Sequence, residues 1–397
     1  MNLGYDQPSE DYSAQDRKYL WHPFTHLPAW LDEDHPVRTI VRGEGSFLFD
    51  ADGAKLHDAN ASIWSNVHGH AHPTITAAIS EQIGRFAHSS FLGFSHPPGI
   101  EFARRLIDDY LGKFGLNRIF YAESGANAIE AGLRMALQWQ RITGQPQRKR
   151  IINFRQSYHG DTLGALAVTG LAHFNHHSPD WGYEVLTLES ADQLAQIDHP
   201  EEIAAIIFEP LVAGAAGIYP WPADMMRQTR DWCDQHGALL ILDEIFTGFG
   251  RTGTMFAFEQ EHITPDLLVL GKAITSGTVP LSAVVTHSDV FDPFTKVEKV
   301  EDSLLTGHTY AANPTACAAA IASLDLFEQN HTLENAAARA QQLTEFLPKF
   351  KDLPQVRETR QVGLACAIEL HDPKHPDQAA YGAKIGLEAT RRAYANG

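Results

Sequence analysis

An aspartate and a lysine, Asp243 and Lys272, mark the most readable chemistry in this chain. Asp243 closes the apolar run Ala238-Leu239-Leu240-Ile241-Leu242, and Lys272 stands one glycine beyond Leu267-Leu268-Val269-Leu270. Each run has the length of a buried strand, so each delivers one ionisable group at or just past its C-terminal end. In open α/β sheets that edge is where ligands bind. A lysine there can form a Schiff base with an aldehyde, and a carboxylate can pair with a protonated ring nitrogen. Together they suit pyridoxal 5′-phosphate.

Other residues point to the same edge. The strand-like Arg118-Ile119-Phe120-Tyr121-Ala122 runs into Glu123-Ser124-Gly125-Ala126 and then a helical pattern to about residue 140. Free N–H groups at such a helix start can hold a phosphate, with the Ser124 hydroxyl assisting. Taken alone, Ser-Gly reads as a helix cap. Next to Asp243 and Lys272 it reads as a phosphate site. Tyr158, in Tyr158-His159-Gly160-Asp161-Thr162, can stack on a flat ring or pack in the core. Glu209 ends the run Ala205-Ile206-Ile207-Phe208, where it can order the site around a phenolic oxygen or form an ordinary ion pair.

The elements that must position these groups alternate between helical patterns and short apolar runs from about residue 66 to 325. That alternation predicts a mostly parallel sheet covered by helices on both faces, an α/β fold. Residues 1–65 are mixed, with a strand-like Ser46-Phe47-Leu48-Phe49 and a turn from Asp50 to Gly53. Residues 326–397 read as a helix over 333–350, a strand over 364–370 and a helix over 378–396. Together the two ends suggest a smaller α+β domain beside the large one.

With 397 residues the chain is long enough for two domains. It carries 31 basic and 49 acidic residues, a net charge of −18, which argues against a nucleic-acid or anionic-membrane partner. The polar N-terminus is not a signal peptide, and no apolar run reaches a membrane span. Three scattered cysteines, Cys233, Cys317 and Cys366, form no Cys-x-x-Cys pair, so a reducing cytoplasm is the simplest setting. His68, His70 and His72, and His173, His176 and His177, lack companion cysteines or carboxylate pairs and read as loop and core histidines, with no metal. Gly248-Phe249-Gly250-Arg251-Thr252-Gly253 matches a dinucleotide fingerprint but is not followed by a helical pattern. It reads instead as a glycine-rich loop beside the site that aims Arg251.

The long stretch Leu242-Asp243-Glu244-Ile245-Phe246-Thr247-Gly248-Phe249-Gly250-Arg251-Thr252-Gly253, then Pro265-Asp266 and Gly271-Lys272-Ala273-Ile274, resembles the signature of class III pyridoxal-phosphate aminotransferases. The resemblance runs over nearly the whole chain from Trp21. It implies fold-type I, with a large cofactor-binding domain over 66–325 and a small domain from 1–65 and 326–397. Leu20-Trp21-His22-Pro23-Phe24-Thr25, Ser62-Ile63-Trp64-Ser65-Asn66-Val67-His68-Gly69-His70 and His308-Thr309-Tyr310-Ala311-Ala312-Asn313-Pro314 are most similar to family members of biotin biosynthesis. Those members convert 8-amino-7-oxononanoate to 7,8-diaminononanoate.

The resemblance implies roles. Lys272 would form the Schiff base and Asp243 would pair with the ring nitrogen. Ser124, Gly125 and Ala126 would hold the phosphate. Tyr158 would stack on the ring, and His159, Glu209 and Ile245 would complete the cofactor site. Thr309 would reach the phosphate in a neighbouring subunit, which implies a homodimer with shared sites. Phe24, Trp64, Tyr158, Arg251 and Gly307 would contact substrate, with Trp21 beside them.

Two departures bear on substrate. Many members that take S-adenosylmethionine as amino donor carry Tyr where Phe24 stands and an aromatic residue where Ile63 stands; the change resembles members that use lysine. The family also continues past Gly397 with an arginine that binds the substrate carboxylate, and Arg391 and Arg392 do not match it, which implies a shortened chain. The competing expectations are another class III transaminase, acting on ω-amino acids or diamines with pyruvate or 2-oxoglutarate, and an inactive chain that only binds cofactor.

Overall fold

A computed structural model describes residues 9–32, 35, 37–172, 183–374 and 385–395. At its centre lies a seven-stranded sheet of β1 (Leu116–Ala122), β2 (Arg150–Phe154), β3 (Val185–Leu188), β4 (Ile203–Phe208), β5 (Leu239–Asp243), β6 (Leu267–Leu270) and β7 (Ser282–His287). Their order across the sheet is β1-β7-β6-β5-β4-β2-β3. β7 runs antiparallel to both β1 and β6, and the pairs from β6 to β3 are parallel.

Side chains alternate across the strands and feed two cores. Ile151, Ile207, Ile241 and Val269 face α1 (Gly125–Ile142), whose Ala128, Ile129, Leu133 and Ala136 are fully or almost fully buried. Ile152, Phe208, Leu242 and Leu268 face the other way, toward α2 (Met225–His236) and α3 (Pro314–Gln329). Each such side chain contributes about 1.5–3 kcal/mol on burial. Strands with both faces covered read as continuous apolar runs, which is why β4, β5 and β6 were visible in sequence.

β7 was not visible. Ser282-Ala-Val-Val-Thr-His287 has only three apolar residues between polar ends, and its reversed direction departs from the alternation that exposed its neighbours. The helix expected over 333–350 stops earlier: the α-helix is Thr332–Phe346, followed by a 3-10 turn Leu347–Phe350. Pro348 has no N–H and cannot extend the α-helical ladder. A hairpin of Val356–Val362 and Ala365–Leu370 follows, and the last described helix is Ile385–Ala395. At the other end, Ile40–Glu44, Phe47–Asp50 and Lys55–His57 make an antiparallel sheet, with Asp50 accepting from the N–H groups of Asp52 and Ala54 in the turn.

The two small sheets differ in how they meet the large one. The hairpin docks directly: Leu364 N–H donates to Arg251 O at 2.9 Å, and Arg360 Nε donates to Gly217 O at 3.0 Å. Gly363 has φ +58, and a Cβ there would lie 2.5 Å from the Thr252 carbonyl carbon, so only glycine fits. Residues just after the N-terminal sheet reach the functional edge instead.

Asp266 ties the opposite edge of the sheet. Its Oδ2 accepts from Leu240 N–H at 2.6 Å and from Arg230 Nη1 at 2.7 Å, and its Oδ1 lies 3.1 Å from His287 Nε2. Burial pushes the Asp266 carboxyl up, but the His287 and Arg230 partners win and hold it below its ordinary value. The sign follows: stability from Asp266 is present above the unfolded carboxylate range near pH 4 and is lost as pH falls through the lowered value. We predict that Asp266→Ala lowers unfolding free energy by about 1–3 kcal/mol at neutral pH, because it leaves a strand N–H unpaired and removes one of the two carboxylates that meet Arg230, the other being Asp234. Denaturant titrations should find the gap between the two proteins shrinking toward pH 3. A gap that does not change with pH would refute this account.

Candidate active site

Parallel pairing brings the chemistry to one level. Leu242 pairs with Phe208 and Asp243 with Val269, so Glu209, Asp243 and Lys272 leave neighbouring strands at the same edge. They line a cavity of about 240 Å³ with Trp64, Tyr158 and Ile245. Ser124, Gly125, Ala126 and His159 line it as well.

Asp243 is 3% exposed, and both its oxygens are engaged. Oδ1 accepts from Ile245 N–H at 3.0 Å, and Oδ2 lies 2.7 Å from His159 Nδ1. The contact joins the imidazole to the carboxylate directly, with no residue between them. His159 Nε2 is buried without a hydrogen-bond partner among the described residues. The imidazole therefore stands behind Asp243 and fixes its orientation.

Glu209 accepts from Tyr158 N–H at 3.1 Å and Gly214 N–H at 2.9 Å. Burial first, and then the nearby Asp243 charge, push its carboxyl up to about 8. Burial, followed by Asp161, Asp243 and Glu209, pushes the half-buried Tyr158 phenol up to about 12. Tyr158 is thus a neutral aromatic wall at working pH.

Lys272 has φ +42, in the left-handed region, immediately after the extended Gly271. Its Nζ lies 4.8 Å from the Trp64 ring centroid and 5.8 Å from that of Phe246. Burial lowers its pKa, opposed by Asp243 and Glu209 and reinforced by Arg251. The result is an amine closer to its neutral, nucleophilic form.

The start of α1 faces the same cavity. Ser124 caps it, its Oγ accepting from Asn127 N–H at 3.4 Å, and the first-turn N–H groups of Gly125 and Ala126 have no acceptor within the helix. Close approach depends on three glycines. A Cβ on Gly125 would lie 2.9 Å from Ile245 Cδ1, and one on Gly271 would lie 3.3 Å from Ile245 Cγ2 and 3.7 Å from Gly125 Cα. A Cβ on Gly160 would meet that of Ala126 at 2.6 Å. The edge therefore combines free N–H donors for a phosphate, a flat apolar wall, a buried carboxylate and a depressed lysine. That donor set fits pyridoxal phosphate.

Trp64 arrives by an unusual route. Ala61, Ser62, Ile63 and Trp64 have φ of +48, +47, +58 and +65°, which forms one left-handed turn. Each such L-residue costs about 1–2 kcal/mol. The turn ends with Trp64 O accepting from Arg251 Nη2 at 3.0 Å and with the indole 4.6 Å from the Phe246 ring.

The remaining sequence candidates lie elsewhere in this chain. Arg251 sits behind Trp64 and does not line the cavity. Phe24 is 71% exposed with φ +51, Trp21 is 85% exposed, and neither lines the cavity. Gly307 and Thr309 are exposed and also outside the lining, although Tyr310 N–H donates to Glu123 Oε1 at 2.7 Å beside the α1 cap. His68 and His70 have structural partners, Ser323 and Asp58; His173, His176 and His177 lie outside the described residues. Phe246, Asp161 and Ala215 line the cavity without having been assigned a role. Phe246 and Asp161 stood inside motifs already singled out, whereas Ala215 gave no signal.

The aminotransferase class-III family model matches residues 31–392. An enzyme named adenosylmethionine-8-amino-7-oxononanoate aminotransferase from Nitratidesulfovibrio vulgaris is 38% identical over 95% of this chain and 74% of its own length. The crystal structure of the enzyme of that name from Methanocaldococcus jannaschii superposes with a TM-score of 0.93 at 32% identity, over 98% of this chain and 91% of that one. An (S)-enantioselective omega-transaminase from Thermomicrobium roseum superposes with a TM-score of 0.89 at 31% identity, covering 97% and 90%.

The opposing influences on Lys272 can be separated without cofactor. Asp243 raises its pKa, so Asp243→Asn should lower it further and leave more free amine at neutral pH. Acylation of Lys272 in cofactor-free protein, followed by peptide mass spectrometry across pH, should show the reactive limb moving to lower pH. Movement to higher pH would overturn the electrostatic account.

Proposed function

The chain belongs to the class-III aminotransferases, which are pyridoxal-phosphate enzymes, and we propose that it aminates 8-amino-7-oxononanoate to 7,8-diaminononanoate in biotin biosynthesis. The carrying observation is the depressed Lys272 amine beside buried Asp243 at an edge that also offers free helix N–H groups. Relatives and a solved structure bearing that enzyme's name, similar over most of the chain, support the choice of substrate.

When bound, pyridoxal phosphate supplies an aldehyde carbon for the amine and a ring that accepts electrons. The residues here provide the rest. Gly125 and Ala126 N–H groups, with Ser124, would hold the phosphate. Asp243, oriented by His159, would keep the ring nitrogen protonated, an attraction worth several kcal/mol, in the range of about 4 kcal/mol for a close pair at moderate dielectric. Tyr158 and Ile245 would flank the ring, and Glu209 would hold the polar side of the site. Lys272, freed by the donor amine, would take a proton from the donor carbon and deliver it elsewhere on the same face. Trp64 would line the path of a mostly apolar substrate chain.

We read the working form as a cytoplasmic homodimer with Thr309 and Gly307 serving the neighbouring subunit's site. Their exposure in the single chain agrees with that arrangement. Adenosylmethionine is the donor in the relatives' names, and we assign it here. Lysine is the second reading, favoured by aliphatic Ile63, 63% exposed next to Trp64.

Two experiments test the assignment. Incubation with the amino ketone and either adenosylmethionine or lysine should yield 7,8-diaminononanoate by mass spectrometry. Turnover of ω-amino acids with pyruvate, but none of the amino ketone, would favour the broader transaminase reading, and cofactor binding with no donor converted would mark an inactive chain. Lys272→Ala should lose the visible absorbance of lysine-linked cofactor along with turnover, and Asp243→Asn should retain cofactor but lose about 10²–10³-fold in kcat. Near-normal turnover in either variant would sink the assigned roles.

A further inference from the structure

The left-handed turn at Ala61–Trp64 is strained backbone that surface packing does not hold. Ser62 is exposed and Ile63 is 63% exposed, and a β-branched residue at φ +58 has little to keep it there. Backbone bonds brace the turn, Trp64 N–H to Asn60 O at 2.8 Å and Asn66 N–H to Ala61 O at 3.0 Å, and Ser65 Oγ donates to Ser62 O at 2.9 Å; the bonds that fix Ser62 itself by its N–H and hydroxyl converge on one carboxylate. Asp58 Oδ1 accepts from Ser62 N–H at 3.0 Å and Oδ2 accepts from Ser62 Oγ at 2.8 Å. The same Oδ2 lies 2.8 Å from His70 Nε2.

His70 is itself anchored. Its N–H donates to Gly45 O at 2.7 Å, and Gly45 N–H donates back to His70 O at 3.1 Å. A Cβ at Gly43 would lie 2.8 Å from His70 Cβ and 3.0 Å from its Cγ, so the His70 side chain packs closely on the N-terminal sheet. Downstream, Ser276 Oγ accepts from Val67 N–H at 3.1 Å and His68 N–H at 2.9 Å, four residues past Lys272. The turn is therefore pinned at both ends, by Asp58 on the N-terminal sheet and by Ser276 behind the lysine. Trp64 lies between the two pins.

We propose that Asp58 is a positioning residue: backed by His70, it holds Ser62 in the left-handed turn that seats the Trp64 indole beside the Lys272 amine. The consequence for catalysis rests on the function assigned above. Trp64 is the wall that a long-chain ketone meets on its way to the amine, so Asp58 sets the fit of that substrate without touching it. Losing the carboxylate lets Ser62 and Ile63 relax toward negative φ, which turns the indole away from Lys272. The amine, the Asp243–His159 pair and the α1 N-terminus keep their own supports. Binding of the second substrate, rather than of cofactor, is what suffers.

The test compares full-length holoenzyme with Asp58→Ala and Asp58→Asn. Asp58→Ala should speed amide hydrogen exchange of residues 62–66 and raise KM for the amino ketone, each by about tenfold or more, with kcat changed far less. Cofactor affinity and thermal midpoint should stay near wild type. Asp58→Asn keeps an acceptor for the Ser62 N–H and a donor for its hydroxyl, and should recover most of both effects. Unchanged exchange in Asp58→Ala overturns the proposal. So does a KM rise matched by equal losses of cofactor affinity and thermal stability, or a failure of Asp58→Asn to recover. If wild type does not aminate the ketone at all, the functional reading fails, while the exchange comparison still decides whether Asp58 holds the turn.

Discussion

Keeping a lysine and two carboxylates out of water at one edge of a sheet is the constraint around which this molecule is arranged. An isolated buried charge is costly, so each must find a partner or lose its charge. Asp243 and Glu209 are met by backbone N–H groups from Ile245, Tyr158 and Gly214, and Asp243 also by His159. Glu209 and Lys272 also shift toward their neutral forms, the carboxyl pushed up to about 8 and the amine lowered by burial. The same burial that threatens stability favours the free amine, because a solvated lysine would otherwise stay an ammonium.

Geometry at that edge depends on residues that do no chemistry. Gly125 and Gly271 let the helix start approach the lysine segment across Ile245. Gly160 lets the Tyr158 loop press against the same helix turn. The left-handed turn carries Trp64 in from the N-terminal sheet, and Arg251 meets its carbonyl from the glycine-rich loop. Strain of this kind persists only where surrounding contacts over-determine it, and it gathers at functional sites.

The family signature mixes both kinds of residue. Beside Asp243 and Lys272 of the candidate site, it contains Asp266, which ties three elements at the far edge of the sheet. It also contains Glu244, fully buried and accepting from Ala257 and Phe258 N–H, with burial pushing its carboxyl up to about 8. Glu244 bends the loop after β5 back onto a 3-10 turn, which explains why the glycine-rich stretch never starts a dinucleotide-binding helix.

Much of the architecture was legible because it rests on local pattern. Apolar runs announced β1, β2, β4, β5 and β6, the last three buried on both faces, and an ionisable group at a run's end announced Asp243, Glu209 and Lys272. β7 escaped because direction within a sheet leaves no mark on a short apolar run. Some roles depend on contacts between residues far apart in the chain, and these no local pattern contains. His159 behind Asp243 spans 84 positions, and Trp64 against Lys272 spans more still. By itself the chain determined which groups would stand at a strand's end, since that follows from period and length. Only the tertiary structure decided which of them face one another. Their distances, and with them the lysine's shifted proton affinity, arise when parallel strands bury their ends at one level and exclude water.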